Sequence, residues 1–390
     1  MRILFVTPCY KPYLGGVERV VEQLCQRLCM DSDVEVLGIL TSYYRYPAEI
    51  MTGLQAQEQI DGATVFRLRF FPEKMPYFYH LDTGLFGHNM KKVIQSFQPT
   101  HIHYMVYDWF LPNLQSYFLS QKYSAQIMTI FVHDFHLSIG TYPFLWFNRW
   151  LANHVDIVHV VSQYGKEVVK QYFHLSESRI VIIPLGSEVP KQPHQIENNH
   201  PVTILSVGRL CAKKGQMNLV CCFLRIQDRI QSACQLILVG DDGGDMEKIQ
   251  QVVNEHHLQD RVHLMGHISQ DELEYWYTNS DIFALLTKDE SFGLVFTEAM
   301  AAGIPVITYA VGPLPKLLTN GAILLPPDNI GMVEESLVEL INNKNKRQQL
   351  GQEAHSFAIS HFSWNQTVEQ MIQVYRRISR KKSSHQGITI

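Results

Sequence analysis

The chain is 390 residues long, 46% hydrophobic, and carries a formal net charge of −4. That length makes two or three domains. Its hydrophobic content excludes a dominantly disordered or membrane-spanning chain, and its charge gives no bulk electrostatic footprint for nucleic acid.

Seven cysteines, an odd count with no zinc-ribbon spacing, read as reduced core thiols of a cytosolic protein. The N-terminal "MRILFVTPCYKP" holds an apolar run too short for a signal peptide and breaks at Pro8 and Pro12. No window reaches the roughly 18 apolar residues of a membrane span. The expectation is a soluble cytoplasmic protein, with a peripheral position on the inner membrane face left open.

"RILFVT" (2–7) is a β-rich run followed by a Pro/Gly loop and by "VERVVEQLCQRL". In that last segment Val17, Val20, Val21, Leu24, Cys25 and Leu28 recur at helical spacing. Short apolar runs then alternate with helical patterns: "VEVLGIL", "THIHYMV", "AQIMTIF" and "VDIVHVVS". Residues 66–92 fit this pattern poorly. They are aromatic, hold more Lys/Arg than Asp/Glu, and read as an insertion near a cleft or surface. The Tyr and Phe side chains there suit either a glycolipid-facing patch or packing on the domain. His101 and His103 alternate along a strand pattern and are expected to be structural.

"PLGSEVPKQPHQIENNHP" (184–201), with four prolines and polar filler, fits a linker between domains. "PVTILSVG" (201–208) then starts a second half built like the first, with "CQLILVG", "RVHLMG", "SDIFALL" and "IPVITYA" as further strand candidates. Such alternation predicts two Rossmann-like α/β domains with parallel sheets. Their ligands bind at the carboxyl ends of the strands.

Two motifs there carry chemistry. "SVGRLCAKKG" puts Arg209 and Lys214 in a glycine-flanked loop after a strand, which suits a diphosphate. A merely solvated basic loop is the alternative. The loop is not a Walker A sequence, and Gly-x-Gly-x-x-Gly is missing, which disfavours a nicotinamide-dependent dehydrogenase. "ESFGLVFTEAMAAGIPV" (290–306) reads as a helix capped by Ser291, with Glu290 in the loop before it and Glu298 one to two turns inside it. Carboxylates about 10 Å apart are too distant for one metal ion or a retaining carboxylate pair. They suit an elongated ligand: a diphosphate at the helix start, a sugar on Glu290 and a ribose on Glu298. Surface charges on an amphipathic helix are the plain alternative.

The second half resembles glycosyltransferase family four, retaining GT-B enzymes that use nucleotide sugars. "SVGRLCAKKG", "LILVGDD", "VHLMGHIS", the run 273–312 and "NGAILLPPDN" match its landmarks in order, and Glu290 and Glu298 coincide with its Glu-x7-Glu element. In the first half "KPYLGGVERVV", "FVHDFH", "VDIVHVVSQYGKEVV" and "RIVIIPLGSE" are collinear with it.

The resemblance implies a GT-B fold with a cleft between two Rossmann-like domains. Residues 1–190 would bind acceptor, 191–200 link, and 201–360 bind the nucleotide sugar. Residues 361–378 would form a helix returning to the first domain, and 379–390 a disordered tail. It implies transfer of a hexose-type sugar from a UDP- or GDP-sugar to a glycan or glycolipid hydroxyl, with retention, no metal and no cofactor. Arg209 and Lys214 would bind the diphosphate, Glu290 the sugar hydroxyls and Glu298 the ribose. The amides of Phe292, Gly293 and Leu294 would meet phosphate. Gly15 and Gly16 would form a tight first loop, and His133 would hydrogen-bond the reacting sugar. His133 and His136 with Asp134 could also be read as a metal cluster, but "TIFVH" is strand-like and further ligands are unidentifiable. Lys316 stands where the family commonly has Glu, which bears on local packing and donor preference. Epimerase, phosphorylase or inactive-subunit readings of the same fold remain open, the last opposed by the intact motif residues.

Overall fold

The computed structural model describes residues 1–12, 15–42, 54–68, 87–106, 110–132, 145–188 and 201–386. They form two compact α/β units. One comprises Met1–Val132, the chain up to Leu185, and the C-terminal stretch from Trp364. The other comprises Gly186–Ser363.

The first unit holds β1 (Arg2–Val6), β2 (Val36–Ser42), β3 (Gln57–Ile60), β4 (Ala63–Leu68), β5 (His101–Tyr104), β6 (Ala125–Ile130), β7 (Ile157–Val160) and β8 (Ile180–Ile182). Their order in the sheet is β3-β4-β2-β1-β5-β6-β7-β8, and every neighbouring pair is parallel except β3–β4. Helices cover the sheet, so β1, β5, β6 and β7 are buried almost throughout and read as mainly apolar runs, interrupted by the buried His101, His103, Gln126, Thr129 and His159.

Residues 66–92 are not wholly an insertion. Phe66, Arg67 and Leu68 pair with β2 inside the sheet, and Met90, Val93, Ile94 and Phe97 of helix Gly87–Phe97 are core. Residues 69–86 lie outside the described part. Buried Arg67 is what hid the strand. Its guanidinium pairs with Glu58 on β3 and donates to the Lys11 carbonyl at 2.6 Å. Lys11 in turn bridges Glu22 (2.6 Å) and Asp61 (2.9 Å), which anchors the loop leaving β1.

The C-terminal helix, Trp364–Gln386, runs eight residues past the expected end at 378. Its Lys/Arg/Ser composition there lacks an apolar stripe, so the sequence pattern gave no sign of it. Trp364, Val368, Met371, Ile372, Tyr375 and Ile378 are buried in the first unit.

His101 and His103 are structural, as expected. His101 Nε2 lies 3.1 Å from the Tyr375 carbonyl. From Tyr375 Oη a chain of hydrogen bonds runs through His103 (2.8 Å), Thr129 (2.7 Å) and His159 (2.9 Å) to the Ile183 carbonyl (2.9 Å). That carbonyl can only accept, so with neutral imidazoles every proton is placed. His159 Nε2 donates to Ile183, Thr129 to His159, His103 to Thr129, and Tyr375 to His103.

Burial holds His103 well below the ordinary histidine value and brings His159 down to about 4. Histidines of the unfolded chain titrate near 6.5, about the ordinary value. Between roughly pH 6.5 and 4 the unfolded state therefore binds more protons, and stability falls as pH falls. Denaturant midpoints measured from about pH 7 to 5 should drop, with a shallower slope in His159→Gln; equal slopes would contradict this assignment.

Candidate active site

The second unit holds β9 (Val202–Val207), β10 (Cys234–Val239), β11 (Val262–Gly266), β12 (Ile282–Leu285), β13 (Val306–Tyr309) and β14 (Ala322–Leu325). The all-parallel order is β11-β10-β9-β12-β13-β14. The chain moves outward from β9 in both directions, so the loops after β9 and β12 diverge at a topological switch point. Every candidate residue of this half lies on these two loops or the helix that follows the second.

The loop after β9 is fixed on one side by the loop after β10. Leu210 N–H donates to the Asp241 carbonyl (2.8 Å), and Gly243 N–H to the Leu210 carbonyl (2.9 Å). Buried Gln216 donates to the Gly208 carbonyl at 3.0 Å. Asp242 orders the neighbouring loop by accepting from Gly244 N–H (2.8 Å) and Met246 N–H (3.2 Å). These two amide bonds, Gly244's first, hold its carboxyl below the ordinary range. Arg209 is exposed between the two loops.

On the other side the loop is welded to the segment after β12. Lys288 N–H donates to the Lys213 carbonyl at 2.8 Å. Gly215 has φ +72°, and a Cβ there would stand 2.3 Å from the Leu286 carbonyl oxygen, so only glycine permits this approach. Two ion pairs follow side by side: Lys213 Nζ–Asp289 Oδ2 at 3.0 Å and Lys214 Nζ–Glu290 Oε2 at 2.6 Å.

Helix Leu294–Ala301 begins from Gly293, at φ +86°, and no side chain caps it. Gly293 rather than Ser291 is the cap, because the left-handed turn brings its carbonyl to Phe296 N–H (3.0 Å). Phe292 is buried edge-on against Phe362, with ring centroids 5.9 Å apart. The reading of Glu290 and Glu298 as surface charges is overturned: they are 7% and 4% exposed. Glu298 accepts the Tyr277 hydroxyl at 3.0 Å. Carboxylates buried this deeply require hydrogen-bond or charge partners.

Lys214, Glu290, Phe292, Gly293, Leu294 and Glu298 thus share one welded pair of loops and its helix, with Arg209 on the adjoining segment. Gly15 and Gly16 belong to the first unit, where Gly15 precedes helix Gly16–Leu28 and a Cβ on Gly16 would meet nothing within 4 Å. His133, Asp134 and His136 lie outside the described residues. Lys316 is exposed on the short helix Leu314–Leu317. The sequence reading missed Lys213, Asp289, Gln216 and Tyr277; nothing in the chain announces contacts set by the meeting of loops, which for Lys213 and Asp289 are 76 residues apart.

Residues 14–189 match the model of Glycosyltransferase Family 4, and residues 189–357 that of Glycosyl transferases group 1. An uncharacterized glycosyltransferase of Methanocaldococcus jannaschii, MJ1178, is 26% identical over 375 residues, 95% of this chain and 97% of that one. A GDP-mannose-dependent α-(1-6)-phosphatidylinositol monomannoside mannosyltransferase of Mycobacterium tuberculosis is 26% identical over 236 residues, 56% of this chain and 60% of its own. Among solved structures, Anabaena Alr3699/HepE in complex with UDP and glucose superposes with a TM-score of 0.76. It is 17% identical, over 97% of this chain and 100% of that one.

Gly215→Ala should lower stability by about 1–3 kcal/mol, since it combines a left-handed backbone with a clash against a carbonyl. Urea unfolding checks this, and an unchanged midpoint would mean that the two loops are not held by close backbone approach.

Proposed function

The chain belongs to glycosyltransferase family four and has the GT-B fold, and from that premise we propose that it transfers a hexose-type sugar from a nucleoside diphosphate sugar to a hydroxyl of a glycan or glycolipid. The observation that carries this reading is the pair of buried carboxylates, Glu290 and Glu298, flanking an uncapped helix start beside Lys214. That grouping offers acceptors for two sets of hydroxyls with anion-binding donors between them.

In this reading Arg209, Lys214 and the amides of Phe292, Gly293 and Leu294 hold the diphosphate. Glu290 accepts from the sugar hydroxyls and Glu298 from the ribose. Cleavage of the sugar–phosphate bond develops positive charge on the sugar and negative charge on the departing diphosphate. Fixed cations and a helix start aimed at the diphosphate stabilise that transition state without a metal ion. The leaving phosphate takes the acceptor's proton, the anomeric configuration is retained, and His133 contacts the reacting sugar.

The donor base is uracil or guanine: one structural neighbour is described with UDP and glucose, and one relative as GDP-mannose-dependent. The same relative is named for a phosphatidylinositol-based acceptor, which supports a glycolipid or cell-surface glycan as product and a place at the cytoplasmic membrane face. Among the described residues no helix is long and apolar enough to cross a membrane.

Ligand binding to the native state adds about 2.7 kcal/mol at a hundredfold excess over Kd. UDP or GDP should therefore raise the melting midpoint without magnesium. Glu298→Ala should weaken that nucleotide roughly tenfold or more, the worth of a hydrogen bond to a charged group. Lys214→Ala should abolish transfer while leaving the fold intact. Near wild-type transfer by that variant would sink the assignment.

A further inference from the structure

We propose that the Lys214–Glu290 ion pair is a latch that distinguishes the intact sugar nucleotide from the free nucleoside diphosphate and helps expel the latter after transfer. The inference rests on the donor-site reading above and adds a behaviour to it.

The pair is built into the loops. Glu290 Oε2 takes Lys214 Nζ at 2.6 Å, and Oε1 accepts the Ser291 N–H at 3.4 Å. The carboxylate side chain is 9% exposed and the lysine side chain 26%. Neither partner's position depends on the other alone. The backbone bond from Lys288 to Lys213, the contact of Gly215 with Leu286, and the flanking Lys213–Asp289 pair all hold the loops in this register.

The two groups are assigned to adjoining parts of the donor, the ammonium to the diphosphate and the carboxylate to the sugar bonded to it. Without donor each satisfies the other, with Glu290 occupying the place of an anion on Lys214. A free nucleoside diphosphate offers Lys214 a better anion but gives Glu290 nothing. Drawing the lysine away would leave a buried carboxylate short of a partner, which is costly. An intact sugar nucleotide supplies hydroxyls to Glu290 while its diphosphate takes Lys214, so both exchanges are complete. Once the sugar has left, the carboxylate regains its hold on the lysine and weakens the bound diphosphate.

The test is calorimetric titration of the full chain with UDP and with GDP, for wild type, Glu290→Gln, Lys214→Met and the double variant. The latch predicts that Glu290→Gln binds the free nucleoside diphosphate more tightly than wild type by roughly tenfold or more, as expected for release of one charged hydrogen bond. In the Lys214→Met background the same change should have no effect. Equal tightening in both backgrounds would assign the gain to removal of a like charge near an anion and would overturn the latch. Unchanged or weaker binding in Glu290→Gln would overturn it too.

Should Glu290→Gln fail to fold, Glu290→Asp keeps the charge but shortens its reach to Lys214, and must tighten binding in the same direction. If neither UDP nor GDP binds wild type or any folded variant, the donor-site reading itself fails, a result distinct from the latch alone failing.

Discussion

Parallel strands can be joined only by crossovers over the faces of their sheet, and a sheet that starts at its middle strand must cross in both directions. In the second unit β9 lies between β10 and β12, so two crossovers leave its neighbourhood on opposite sides. The loops after β9 and β12, far apart in the chain, are thereby brought to one edge. Everything assigned to the donor depends on this. Without the switch point, Lys214 and Glu290 have no reason to meet, and Gly215 no reason to be glycine. The first unit repeats the arrangement around β1, between β2 and β5, which places the Gly15–Gly16 loop at the corresponding edge of its own sheet.

Much of this was legible because a strand buried on both faces writes itself as a continuous apolar run. The strands β1, β5, β6 and β7, and β9 through β13, fall within runs read from the sequence, and β2 runs two residues past its own. The hairpin β3–β4 was missed although its turn is plain. Asp61 and Gly62, with φ of +53° and +77°, join Ile60 to Ala63 as an Asp-Gly pair does between antiparallel strands. The edge strand "QEQI" carries polar residues, and a buried arginine interrupts β4, so both failed the apolar pattern. Arg67 is tolerated there because Glu58 and the Lys11 carbonyl accept its protons.

The site was legible as a set of residue types and not as a set of contacts. Motif order gave Arg209, Lys214, Glu290 and Glu298; it did not give the Lys213–Asp289 pair or the Tyr277 hydroxyl on Glu298. Those depend on register between loops that only the folded sheet sets. The C-terminal helix shows the same division. Its stripe from Val368 to Tyr375 was readable. That Tyr375 donates into a chain of side chains ending on the Ile183 carbonyl was not. The chain leaves the first unit after Leu185 and re-enters it at Trp364. On the first-unit side Thr367 Oγ1 donates to the Pro184 carbonyl at 2.8 Å, and on the other Ser187 N–H donates to the Phe362 carbonyl at 2.9 Å. Outgoing and returning segments are therefore bonded to each other within each unit.

The two buried carboxylates differ in a way that bears on what each can do. Glu298 is held by a neutral hydroxyl, which leaves the carboxylate acceptor capacity for further donors, the ribose hydroxyls of the proposal among them. Glu290 is held by a cation, the same cation that the donor-site proposal gives to a diphosphate, so the two anions would compete for its charge and its three N–H donors. In that proposal one carboxylate is a standing acceptor and the other a competitor for the lysine. Both lie in one short loop–helix segment, yet only Glu290 faces the welded loop that carries Lys214. The asymmetry comes from Gly215: its approach to Leu286 sets Lys214 opposite Glu290, whereas Tyr277, from helix Gln270–Thr278, reaches Glu298.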